Sequence, residues 1–160
     1  MSMIPAEHAA MIAKHSAAPP VDVAAIANEL GLAIFSADLA HNVSGVIVKD
    51  ASYGTSSGFA IFVDSGESPQ RQRFTAAHEI GHFLLHRHLI GDRHEDNYLL
   101  RSVGISNRQE QQANQFAADL LMPRNLIEKA MQEGYTSVES LADLFQVSRI
   151  AMGIRLGLPT

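Results

Sequence analysis

The chain has 160 residues, 46% of them hydrophobic, which suits one globular domain built on one core. A formal charge of −5, with acidic and basic residues interspersed, supplies no broad basic surface, so direct nucleic-acid binding is not expected. The absence of cysteine excludes disulfides, thiolate metal sites and cysteine nucleophiles, and leaves any metal to His, Asp or Glu.

The stretch from Met1 to Ala18 is Ala-rich but interrupted by Glu7, His8, Lys14 and His15, so it lacks the apolar centre of a signal peptide. No run approaches the ~20 apolar residues that span a bilayer, and a soluble cytoplasmic protein without membrane contact is expected. Residues 1–20 are set apart as an N-terminal segment ending at Pro19-Pro20, and 21–160 read as a single domain. Val23, Ile26, Ala27 and Leu30 fall at helical spacing before Gly31. Three β-prone runs follow, Leu32–Phe35, Gly45–Lys49 and Phe59–Val63, which predict a small antiparallel sheet of about three strands.

Ser68-Pro69 looks like an N-cap with proline at the first helical position, opening a helix to His86. From Arg87 to Ile105 the periodicity is poor, which predicts an irregular excursion. Ser106 with Gln109 forms a capping box for a helix to Leu121, stopped by Pro123, and Thr136 with Glu139 suggests another. Residues 136–160, with Ser148 as a second cap, read as a helix-turn-helix-like pair packed on the domain. Helix, sheet, then several helices is the order of an α+β fold.

His78-Glu79-Ile80-Gly81-His82 matches H-E-x-x-H, and its two histidines, one turn apart, can reach one ion. Composition alone would produce the motif in roughly 2% of shuffled sequences of this kind. Glu79, a quarter-turn from His78, is placed for a general base. Catalytic zinc sites keep three protein ligands and one open position, so a third ligand is required. It is not His86, whose Cα lies about 12 Å along the helix axis from that of His78. His86 is read as a cap or packing group at the helix end, with contact to a ligand or substrate as the alternative. Glu110 leads the candidates for third ligand, with Asn114 sharing its helix face; Asp96 and Asp119 stand beside it, and spacing does not choose.

Here the chain resembles the ImmA/IrrE family of metallo-endopeptidases, through Arg73-Phe74-Thr75-Ala76-Ala77-His78-Glu79-Ile80-Gly81-His82 and through Glu110-Gln111-Gln112-Ala113-Asn114-Gln115-Phe116-Ala117-Ala118-Asp119-Leu120-Leu121-Met122-Pro123. The resemblance implies a zincin-like domain with Zn2+ on His78, His82 and Glu110, and Glu79 as catalytic base. It also implies a protein substrate, a helix-turn-helix transcriptional repressor or antitoxin. Asp119 stands where the family has an acidic residue, and is expected to orient a ligand or to pair with Arg73, although nine positions from Glu110 it faces away.

The substrate strand is expected to add to a sheet edge, for which Phe59–Val63 is the candidate. His86, His88, His94, Tyr53 and Tyr98 carry protons suited to an oxyanion, and the run from Arg87 to Ile105 is a candidate lid. Two other readings compete with this one. In one, the C-terminal helices bind DNA, but Glu139, Asp143, Arg149 and Arg155 sum to zero charge. In the other, a non-catalytic or toxin component of a toxin–antitoxin pair binds its partner and keeps the metal for structure. Against that reading, a structural site is usually closed by four protein ligands.

Overall fold

A computed structural model describes residues 2–97 and 105–159. Helix α1 (Ala9–Lys14) lies in the N-terminal segment and sends Ile12 into the core, with Met3 and Met11 packed against its edge. Helix α2 (Val23–Glu29) starts where the Asp22 side chain accepts a hydrogen bond from the Ala25 N–H. Strands β1 (Ala33–Ala37), β2 (Val43–Lys49) and β3 (Phe59–Asp64) come next. Helix α3 (Pro69–His86) then carries the histidine motif, begun by Ser68, whose hydroxyl accepts from the Arg71 N–H at 3.1 Å. A 3-10 turn (Arg87–Leu89) leads to strand β4 (Arg93–Asn97). Helices α4 (Asn107–Leu121), α5 (Arg124–Gln132), α6 (Val138–Phe145) and α7 (Arg149–Arg155) complete the chain. The fold is α+β, and among the described residues no helix is long and apolar enough to cross a membrane.

The sheet corrects the expected one in three respects. Among the described residues it has four strands, in the order β1-β3-β2-β4. It is mixed, because β1 runs parallel to β3, while β2 is antiparallel to both β3 and β4. The parallel pairing puts the strand expected at an edge, Phe59–Val63, in the interior, and leaves β1 and β4 as the edges among the described residues. Part of the run expected to be irregular is therefore ordered as β4. Its sequence, Arg-His-Glu-Asp-Asn, hides it: edge strands are commonly blunted by charged side chains, and here His94 is buried. Of the other candidates from that run, His88 is exposed in the 3-10 turn, while Tyr98 and the side chain of Asp96 lie outside the described residues.

One face of the sheet, with Ile47, Phe59, Ile61 and Val63, packs on Ala76, Ala77, Ile80 and Phe83 of α3. Two glycines set the spacing around this helix. A Cβ at Gly45 in β2 would lie 2.4 Å from Thr75 Cγ2 and 3.1 Å from Glu79 Oε2, so its absence lets the motif turn rest against the strand. A Cβ at Gly81 would lie 3.0–3.2 Å from the Phe116 side chain of α4. Glycine within a helix costs ~0.5–1 kcal/mol relative to alanine, whereas burying a phenylalanine contributes ~1.5–3 kcal/mol, so close approach of α3 and α4 outweighs the lost propensity. These two helices make the most extensive helix–helix contact in the fold.

The capping box expected at Thr136 and Glu139 forms one residue later, between Ser137 and Ser140. Leu141, Phe145 and Met152 of the last two helices belong to the same core cluster as the sheet, while Ile150 and Ile154 of α7 face outward. Asp119 anchors this region. Its Oδ1 accepts from Arg155 Nη1 at 2.9 Å and from Gln115 Nε2 at 2.9 Å, and its Oδ2 accepts from the Met3 N–H at 2.8 Å. Arg155 also donates from Nε to the Met122 carbonyl, and both charged residues are buried. Asp119→Ala, which strands the Arg155 charge, is expected to cost ~3–5 kcal/mol, read as a lower urea midpoint with an unchanged slope.

Candidate metal centre

Each side chain of the site is placed by α3, α4 or β4. His78 and His82 sit one turn apart on α3, at 6% and 0% exposure, with ring centroids 4.6 Å apart. Glu110 enters from the first turn of α4, whose capping box fixes where that helix begins: Ser106 Oγ accepts from the Gln109 N–H, and Gln109 Oε1 accepts from the Ser106 N–H. The Nε2 atoms of His78, His82 and His94 all face Glu110 Oε1. Those of His78 and His94 are each 3.5 Å away, and His82 is in direct contact. Burial alone would raise the Glu110 carboxyl, but the three imidazoles, donating to it from Nε2 where no ion takes their lone pairs, outweigh it and hold the carboxyl well below the usual carboxylate range.

The donor atoms of His78, His82 and Glu110 lie within 4.8 Å of one another. Two imidazole nitrogens and a carboxylate oxygen on one ion stand ~3–4 Å apart, so this set fits a divalent cation of the zinc type with little adjustment. The His78 proton position supports that fit. His78 Nδ1 lies 2.7 Å from Asn114 Oδ1, an atom that only accepts, so Nδ1 carries a proton and Nε2 is the nitrogen that can give its lone pair to an ion. Glu79 is fully buried and turned toward Gly45 of β2.

The profile of a peptidase family described as the IrrE N-terminal-like domain matches residues 27–157. The chain belongs to this IrrE-like family. It is 32% identical over 114 residues to the radiation response metalloprotease IrrE of Deinococcus deserti, an alignment covering 66% of this chain and 40% of that protein. A Mycobacterium tuberculosis transcriptional regulator shares the fold at a TM-score of 0.58 and 17% identity, over 85% of this chain and 40% of that one. The chain thus spans 40% of the length of each of these relatives.

Within this IrrE-like chain the remaining sequence candidates are distributed as follows. His86 is buried between His82 and Gln112. Asn114 touches His78. Arg73 is engaged away from the cluster, donating to the carbonyls of Phe145 and Gln146 at the end of α6 and of Val21 ahead of α2, and the partner of Asp119 is Arg155 in place of Arg73. Tyr53 belongs to an aromatic group with Phe35 and Phe62. His94 comes to the site through β4: it is in register with Ile47, so it shares the face that packs on α3. Gln112 was not singled out from the sequence, where no spacing rule connects it to the histidine helix.

Proposed function

We propose that this chain is the catalytic domain of a zinc-dependent endopeptidase, with His78, His82 and Glu110 holding the metal and Glu79 as general base. The convergence of two imidazole nitrogens and a carboxylate oxygen in a buried cluster, one residue from a buried glutamate, carries the reading. Family membership and the metalloprotease name of the Deinococcus deserti relative support it. When bound, zinc supplies Lewis acidity, which brings water into the range of a nucleophile near neutral pH and polarises a carbonyl.

The chain's own groups do the rest. Glu79 takes a proton from the attacking water as the O–C bond forms, and returns it to the leaving amine nitrogen as the C–N bond breaks. Asn114 keeps His78 in the tautomer that ligates. The substrate strand pairs with the outer edge of β4, which borders the cluster through His94. His94 then donates a hydrogen bond to the scissile carbonyl oxygen as negative charge develops there. His94→Ala is expected to lower kcat by about 10²–10³-fold. Metal content should be unchanged by it, and a matching loss of metal would instead make His94 a ligand.

The substrate we assign is a protein, a helix-turn-helix repressor or antitoxin, cut in the cytoplasm, and the module comprises residues 21–160. Co-expression with a candidate repressor encoded nearby, followed by mass spectrometry of the fragments, tests this. One new terminus that needs both metal and Glu79 supports the reading. An intact repressor held in a stable complex would favour the non-catalytic toxin–antitoxin alternative.

A further inference from the structure

We infer that Gln112 and His86 form a proton-ordered relay that fixes His82 in its metal-binding tautomer, making His86 a positioning residue of the centre. The inference rests on the metal-site reading above. His82 Nδ1 and His86 Nδ1 are 3.0 Å apart, and His86 Nε2 is 2.8 Å from Gln112 Oε1. His82 and His86 are both buried, at 0% and 4% exposure.

Valence fixes the order of the protons. An amide oxygen only accepts, so His86 Nε2 carries a hydrogen. A neutral imidazole protonated there has its lone pair on Nδ1. His86 Nδ1 therefore accepts, and the hydrogen in the 3.0 Å contact belongs to His82 Nδ1. In the neutral ring that binds a metal, this puts the His82 lone pair on Nε2, the atom turned toward Glu110 and the cluster. The same logic sets His78 through Asn114, so each motif histidine is oriented by an amide on α4, His78 directly and His82 through one intervening ring.

Charge explains why an imidazole and not a carboxylate stands at position 86. Glu79 and Glu110 already bring two carboxylates to this buried region, enough to balance a divalent cation. A third carboxylate behind His82 would be an uncompensated buried charge, which is costly. An imidazole backed by an amide gives the same directional acceptor without it. The helix supplies the spacing, since residues four apart stack on one face.

The test measures zinc affinity by chelator competition for wild type, His86→Phe, Gln112→Ala and the double variant. Two-bond 15N–1H correlation spectra of the zinc-loaded wild type read the histidine tautomers directly. Removing such a partner weakens metal binding by about 10–100-fold, and that loss is expected for His86→Phe. Gln112→Ala should lose part of it, and the double variant no more than His86→Phe alone, because both lie on one path. The spectra should show the proton of His86 on Nε2 and that of His82 on Nδ1. A proton on His86 Nδ1, or wild-type affinity in His86→Phe, would overturn the relay while leaving the metal site standing. Failure of the wild type to bind zinc would overturn both. Should His86→Phe not fold, the wild-type spectra decide alone.

Discussion

Glu79→Gln is expected to lower kcat/KM for the protein substrate by about 10²–10⁴-fold, the usual contribution of a positioned general base. That corresponds to ~2.7–5.4 kcal/mol of transition-state stabilisation. The substitution is nearly isosteric, so it spares the tight fit against Gly45 and Thr75 that any larger change would disturb. The fold and the metal content should therefore be unchanged, and circular dichroism and elemental analysis on the same sample check both. Retained cleavage at full metal occupancy would remove Glu79 from the chemistry and make the oxyanion donor, His94, the next group to test as the proton carrier.

Glu110→Gln should weaken zinc binding by more than about 100-fold, beyond the effect of losing a partner to a ligand, because it removes a ligand's charge. At fixed zinc the lost stabilisation of the fold would be ~2.7 kcal/mol for each such hundredfold, visible as a smaller rise in Tm on metal addition. The sign with pH follows from the depressed carboxyl. Stability that Glu110 draws from the three imidazoles is fully present above the ordinary carboxylate value and is lost only as pH falls through its lower folded value. Metal released on mild acidification therefore reports protonation of the ligating histidines, which must be neutral to bind, and not of Glu110. If Glu110→Gln bound zinc as tightly as wild type, the third ligand would have to be sought elsewhere, with His94 first.

Much of this was legible in local sequence because local chemistry decides it. Ser68-Pro69 starts α3 and Ser106 with Gln109 starts α4, since caps satisfy N–H groups that the helix itself cannot. His78, His82 and Glu110 come from these two helices, whereas His94 reaches them from β4. What stayed hidden depends on the tertiary arrangement. Whether β1 joins β3 in parallel is set by how the chain crosses over, which no alternation pattern records. Strand β4 buries its histidine and carries charge on its neighbours, so it has no apolar signature. Thr136 with Glu139 and Ser137 with Ser140 are both plausible caps, and packing of Leu141 and Phe145 selects the register. The Asp119 to Arg155 pair spans 36 positions and could not be told from an Asp119 to Arg73 pair by composition.

The two glycine contacts of α3 bear on how the motif itself is to be understood. Written as H-E-x-x-H, it treats positions 80 and 81 as wildcards, yet Ile80 is fully buried and Gly81 meets Phe116 where a methyl group would stand. Here the wildcards carry the mechanical tolerance of the centre. They set how near α4 can come, and hence whether Glu110, Gln112 and Asn114 arrive within reach of the imidazoles as a group. Metal binding is in that sense a gauge of helix spacing: a change at position 81 or 116 that touches no ligand would be read out as a change in affinity for the ion.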